Sequence, residues 1–180
     1  MKAIALVTLG LVSLAATVPA VAQTAAAPTG IRAEMLAQLD DAAGKLQQLA
    51  EAIPQDKLAW RPGTGVRSVG EVLMHVTGGN YYLPTFAGVK APADAPQGEN
   101  VTDRAQAIQQ LRRSFDHVRA AIRNTSDADL DKPATMFGQQ TTYRNVLLTT
   151  VTHAHEHLGQ LIAYARSNGV TPPWSRSGGQ

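Results

Sequence analysis

The 180-residue chain contains no cysteine. That excludes disulfide bonds, thiolate metal ligands and a cysteine nucleophile together, so any metal must be held by histidine and carboxylate side chains. One-sided charge is also lacking: 16 Lys+Arg stand against 14 Asp+Glu. The pI is about 9.1, yet no basic run is longer than the Arg112-Arg113 pair. This scatter argues against nucleic acid as a partner, because nucleic-acid binders gather their cations into a patch. No internal repeat is visible, and no apolar run reaches the roughly 20 residues that span a bilayer. What remains is one apolar-periodic body of a length that suits a single domain, able to bury roughly 68–70% of its unfolded surface without staples.

The first 22 residues, MKAIALVTLGLVSLAATVPAVA, have one early Lys, a largely apolar run from Ala3 to Ala16, a break at Pro19, and Ala20-Val21-Ala22 before Gln23. This reads as a secretory signal peptide over residues 1–22 with a small-x-small cleavage site; an uncleaved anchor is the alternative. Cleavage removes Lys2, taking the formal charge from +2 to about +1. The expectation is an exported protein, periplasmic or secreted, with no stable membrane insertion after cleavage. A linker over 23–30 then leads into the folded body, and 175–180 form a short tail.

From Ile31 onward, helical periodicity alternates with Pro- and Gly-rich breaks. Ile31, Met35, Leu39, Ala42, Leu46, Leu49 and Ile53 form one stripe at spacings of three and four, ended by Pro54. Ser68 with Glu71 three residues later is a capping box that starts a second helix, expected to run to about Gly88. After the Pro-rich loop KAPADAPQGEN, Thr102 followed by Asp103 caps a third helix whose inward residues are Ala107, Ile108, Leu111, Phe115, Val118, Ala121 and Ile122. An irregular stretch from Thr125 to Thr141 leads to the fourth, which stops at Asn168-Gly169 with Pro172-Pro173 beyond. Four amphipathic helices with no convincing strand predict an all-α four-helix bundle over 31–174, with long crossover loops.

The fourth helix carries VTHAHEHLGQLIAYAR. At about 100° per residue, Leu147, Val151, Ala154, Leu158, Leu161, Ile162 and Ala165 face the core. His153 and His157, four apart, stack along one edge of that stripe, whereas His155 lies on the far side. Two imidazoles rarely suffice for a metal, and His75 on the corresponding edge of the second helix is the third candidate. Three histidines from two helices leave coordination positions open, as catalytic sites require. The bland alternatives are structural or solvated histidines, the reading preferred for His155 and His117. The zincin order H-E-x-x-H is absent, since Gly159 follows His157 by two residues. No carboxylate is clearly placed as a general base and no catalytic residue is assigned; Glu71 is one turn before His75 but is also needed for its capping box. Tyr82 and Tyr164 either line a pocket or pack in the core. Gly78-Gly79 in mid-helix costs about 1 kcal/mol per Gly relative to Ala, which either a kink or a close helix approach beside the site would explain.

SVGEVLMHVTGGNYY, HAHEHLGQLIAYARSNG and GVTPPW together resemble the DinB-like (YfiT-like) superfamily of four-helix bundles, and LQQLAEAIPQDKLAWRPGTGVRS is similar to its first helix and connector. The resemblance implies a divalent ion, nickel or zinc, on His75, His153 and His157, with Asn80 and Gln160 at matching positions nearby. Glu71, Tyr82 and Tyr164 complete the expected pocket or second layer. Family members of known activity include metal-dependent transferases that use low-molecular-weight thiols. Such thiols are cytosolic, so the export signal of this chain disfavours that branch. The expected function is an exported, divalent-metal-dependent hydrolase or transferase acting on a small molecule; the alternatives are a non-catalytic metal-binding or stress-response bundle, and a bundle with no metal. Whether the chain forms a homodimer stays open.

Overall fold

The computed structural model describes residues 27–175. The expected signal peptide lies outside these residues, as does nearly all of the expected C-terminal tail. Four long helices dominate: α1 (Gly30–Ala52), α2 (Val69–Tyr82), α3 (Arg104–Asn124) and α4 (Tyr143–Ser167). Short 3-10 turns follow each of them, the longest being Leu83–Ala87. No helix of the described residues is long and apolar enough to cross a membrane.

The periodic stripes become the core. Leu39, Leu46, Leu49, Val72, Leu73, Leu111, Phe115, Leu147 and Leu161 are all fully buried in one cluster, each large side chain contributing roughly 1.5–3 kcal/mol of transfer free energy. Ile31, placed on the stripe by spacing alone, is exposed at the helix start. The helix ends obey their sequence signals. Ser68 and Glu71 form a reciprocal capping box, with Glu71 N–H donating to Ser68 Oγ and Ser68 N–H to Glu71 Oε2. Asp103 accepts from Gln106 N–H at 2.7 Å. At the end of α4, Gly169 takes φ +71 while Gly169 N–H and Val170 N–H reach back to the carbonyls of Arg166 and Ala165. That is the Schellman pattern, for which glycine is the natural residue.

The side-chain bonds fix how the helices run. Arg32 bonds Asp127 and Arg119 bonds Asp40, so α1 and α3 are antiparallel. Tyr164 on α4 reaches Arg67 just before α2, while His153 lies against Gly79 near the end of α2, so these two are antiparallel as well. Asn80 meets Ser114 and Gly70 meets Val101, which makes α2 and α3 parallel. Around the bundle the order is α1, α3, α2, α4, with sequential helices α1 and α2 on a diagonal. Two parallel neighbours need a connection that travels the length of the bundle. The Pro-rich loop between α2 and α3 is that connection, and it runs back over the face where α2 meets α4.

Two expectations need correction. The second helix does not continue as α-helix to Gly88: it is α-helical to Tyr82 and 3-10 over Leu83–Ala87, because Pro84 has no N–H for the i→i−4 ladder. The stretch before α4 is not without strands. Pro133–Met136 (β1) and Gln139–Thr142 (β2) pair antiparallel, Met136 opposite Gln139. Phe137 and Gly138 form the turn with φ +52 and +80, the pair of positive values that a two-residue type I′ hairpin demands. Ala134, Ala87 and Val146 form a small second core under this hairpin.

Candidate metal centre

α2 and α4 bring His75, His153 and His157 together, with one candidate ligand atom from each lying within 4.8 Å of the others. His75 and His153 are half-buried and His157 is buried. The Nε2 atoms of His75 and His153 are 3.2 Å apart. Two nitrogens sharing a tetrahedral ion at ~2.0–2.1 Å stand about 3.3 Å from each other, so this spacing suits a common cation.

The proton positions follow from the neighbours. His75 Nδ1 lies 2.7 Å from Glu99 Oε1. The carboxylate can only accept, so Nδ1 carries the proton and Nε2 presents its lone pair. Burial pushes the Glu99 carboxyl up, but the bonds from Arg67 and His75 outweigh it and leave its pKa below the ordinary value. At His157 the chain of bonds is longer. Tyr164 has one hydroxyl proton and gives it to the Arg67 carbonyl at 3.2 Å, so it must accept from the Gln160 amide N–H at 2.9 Å. That turns Gln160 Oε1 toward His157 Nδ1 at 2.8 Å, where it accepts, and again leaves Nε2 as the free lone pair. Both supports end on Arg67, through its side chain to Glu99 and through its carbonyl to Tyr164.

His153 is placed differently. A Cβ on Gly79 would stand 2.5 Å from its Cε1 and 2.9 Å from its Nδ1, distances at which something must shift. Gly79 is therefore glycine because the imidazole occupies the space of its missing side chain; Gly78 has nothing within 4 Å. His153 Nδ1 is buried with no hydrogen-bond partner among the described residues. Burial, and then the nearby His157 and His75, lowers the His153 pKa to about 4. His157 is lowered too, chiefly by burial, against the opposing Gln160 bond. Neutral imidazole is the form that binds metal. The residues present thus fit a divalent cation: Nε2 lone pairs fixed by tautomer on His75 and His157, burial that favours the neutral ring at His153 and His157, and a His75–His153 nitrogen spacing that one ion can bridge.

The other sequence candidates divide. Gln160 and Tyr164 support His157 as described, and Tyr164 is buried by packing edge-on against Trp60. Tyr82 lines a cavity of about 740 Å³ that reaches His75 and His153. Asn80 does not join the cluster: it is buried on the α3 side, donating to Ser114 Oγ at 3.0 Å. Glu71 stays in its capping box and pairs with Arg61; the hydrogen bond from Ser68 N–H, and after it the Arg61 guanidinium, hold its pKa down. His155 bonds the Gln38 carbonyl of α1 at 3.1 Å, and His117 stacks near Tyr81, so both are structural. Sequence reasoning missed Glu99. It sits in an irregular loop 24 residues from His75, and only the crossover path of that loop brings it there.

The comparisons with known proteins bear on the family and the fold. A family model described as the DinB superfamily matches residues 38–161. A DinB-like protein from Bacillus cereus ATCC 10987 superposes with a TM-score of 0.69 at 19% identity, over 77% of this chain and 93% of its own. A DinB-like protein from Bacillus subtilis gives 0.63 at 19% identity over the same shares. YfiT from Bacillus subtilis, described as a probable metal-dependent hydrolase with an unusual four-helix bundle topology, gives 0.64 at 17% identity, over 78% of this chain and 89% of its own. At such identities the likeness to these structures is one of fold. No curated protein matches the chain. The family match spans the region from the first helix to the last ligand's helix, and on that ground the chain belongs to the DinB superfamily.

Proposed function

We propose that His75, His153 and His157 hold one divalent ion, nickel or zinc, and that the protein is an exported metal-dependent hydrolase of a small molecule. The observation that carries the reading is the pair of supports on the histidines: Glu99 and Gln160 each accept a hydrogen bond from Nδ1–H and leave Nε2 for a cation, the arrangement that orients metal-binding imidazoles. When bound, the ion supplies Lewis acidity, able to polarise a carbonyl and to acidify water. The chain's own residues supply the rest. Glu99 and Gln160 hold the rings in place, and the cavity admits a substrate to His75 and His153. Glu156, on the wall of that cavity, is the carboxylate we assign to proton transfer during hydrolysis.

Hydrolysis is favoured over thiol transfer by the expected signal over residues 1–22, since low-molecular-weight thiols are cytosolic, and YfiT, a fold relative, is described as a probable metal-dependent hydrolase. N-terminal sequencing of protein from expressing cells should begin at or near Gln23; an intact Met1 in the cytoplasm would restore the thiol-transfer reading. The activity itself is tested by assaying zinc- and nickel-loaded protein on a panel of esters and amides. Turnover that disappears with chelator, in His153→Ala and in Glu156→Gln supports the proposal. Stoichiometric metal with no turnover across the panel would assign the protein to non-catalytic metal binding instead.

A further inference from the structure

The cavity beside the histidines has a wall that the metal chemistry does not use. Tyr82, at the end of α2, and Phe137, at the tip of the β1–β2 hairpin, both line it, although they are 55% and 64% exposed. Phe86 ties them together, with ring centroids 5.1 Å from Tyr82 and 5.2 Å from Phe137, both edge-on. Phe137 is also the one non-glycine residue with positive φ among the described residues. A bulky side chain in that region carries strain of order 1 kcal/mol that Asn or Gly would avoid. The turn position is therefore not filled for stability. Strain retained at an exposed aromatic that borders a cavity points to use of the ring itself.

Charge narrows what that use is. The only ionised side chains among the described residues of the lining are the acids Glu99 and Glu156; no Lys or Arg contributes to it. A ligand carrying several carboxylates or phosphates would meet acids and no side-chain cation. Met74, Leu83 and Pro96 add apolar surface, and about 740 Å³ lies within the roughly 300–1,000 Å³ of small-molecule sites.

Resting on the metal-site reading above, we propose that this cavity binds an uncharged substrate with an aromatic or similarly flat apolar body, resting against the wall that Tyr82 and Phe137 form with ring centroids 6.4 Å apart, with its polar reacting group toward His75 and His153. Tyr82 and Phe137 are then specificity-determining residues.

The test uses the neutral fluorescent probe N-phenyl-1-naphthylamine, whose binding does not need the ion, alongside a separate zinc titration. The wild-type protein should bind the probe saturably. Benzohydroxamic acid should displace it from zinc-loaded protein at least about tenfold more effectively than acetohydroxamic acid, because the ring adds contact in the apolar part of the site. Phe137→Gly and Tyr82→Ala should each weaken probe binding by about tenfold. Zinc affinity should stay unchanged in both, and Phe137→Gly should melt no lower than wild type because glycine suits the turn. Absence of saturable probe binding, equal potency of the two hydroxamates on zinc-loaded protein, or wild-type probe affinity in both variants would overturn the proposal. Probe binding that persists and responds to both variants while zinc fails to bind would retain the cavity assignment and sink the metal-site reading instead.

Discussion

His153 fills the space that a side chain at residue 79 would need: a Cβ on Gly79 would come within 2.5 Å of its ring. Two adjacent glycines in the middle of α2 thus have different reasons, and substitution separates them. Gly79→Ala should push the imidazole aside and lower zinc affinity at least as far as the ~10–100-fold that follows loss of a ligand's supporting partner. Gly78→Ala, with open space around it, should keep zinc affinity and raise stability by up to about 1 kcal/mol through helix propensity. Isothermal titration and chemical denaturation of both variants check this; equal losses of zinc affinity would show that the close approach does not matter.

Glu99 holds His75 and is itself held by Arg67. Glu99→Gln can accept from His75 Nδ1 but loses the charge, so zinc affinity should fall about tenfold, and Glu99→Ala should lose toward a hundredfold. Arg67→Gln should have a smaller effect, because His75 keeps its partner. A Glu99→Ala variant with wild-type zinc affinity would mean that His75 is not oriented from this loop.

Much of this was legible in the sequence, for physical reasons that differ by residue. The capping box at Ser68 and the Schellman end at Gly169 are local, so a few residues determine them, and the i, i+4 spacing of His153 and His157 is set by helix geometry alone. Glu99 was hidden because its role depends on the path of a loop between two parallel helices, which no local pattern encodes. The hairpin was missed because PATM and QQTT are short and mixed in polarity; the cue was Phe137-Gly138 between Thr-containing runs. Asn80, at a position matched by resemblance, turned out to face α3, since its edge of α2 is the one opposite the histidines.

Stability of metal-stripped protein should depend on pH through the buried histidines. Burial, aided by His157 and His75, sets His153 at about 4 in the folded chain, below the ~6.5 of an unfolded imidazole. As pH falls below about 6.5 the unfolded chain takes up protons that the folded chain refuses, so the stabilisation, fully present above that pH, is lost progressively toward about 4. His117, lowered by burial alone, adds in the same direction. Urea midpoints at steps between about pH 7.5 and pH 4 should decline across this window, and less so in His153→Gln. A flat wild-type profile would contradict the burial of these rings.

His155 separates structural from metal-binding histidine. Its bond to the Gln38 carbonyl joins α4 to α1, so His155→Ala should cost about 1 kcal/mol of stability. The rise in melting temperature on adding zinc should nonetheless persist in this variant, as in His117→Ala. In His75→Ala, His153→Ala and His157→Ala that rise should vanish, since it reflects binding to the folded state and amounts to about 2.7 kcal/mol at a hundredfold excess over Kd. Thermal melts with and without zinc across the five variants give the comparison, and a lost response in His155→Ala would require a different ligand set.

The most direct test of the account is the metal content of the protein, purified without a histidine tag and measured by elemental analysis together with protein concentration. Three imidazoles from one chain form a single site, so wild-type protein should carry or take up about one nickel or zinc ion per chain, and the variant lacking His75, His153 and His157 should carry almost none. Wild-type protein that neither contains nor takes up a divalent ion at about neutral pH, or a triple variant that retains a full equivalent, would contradict it.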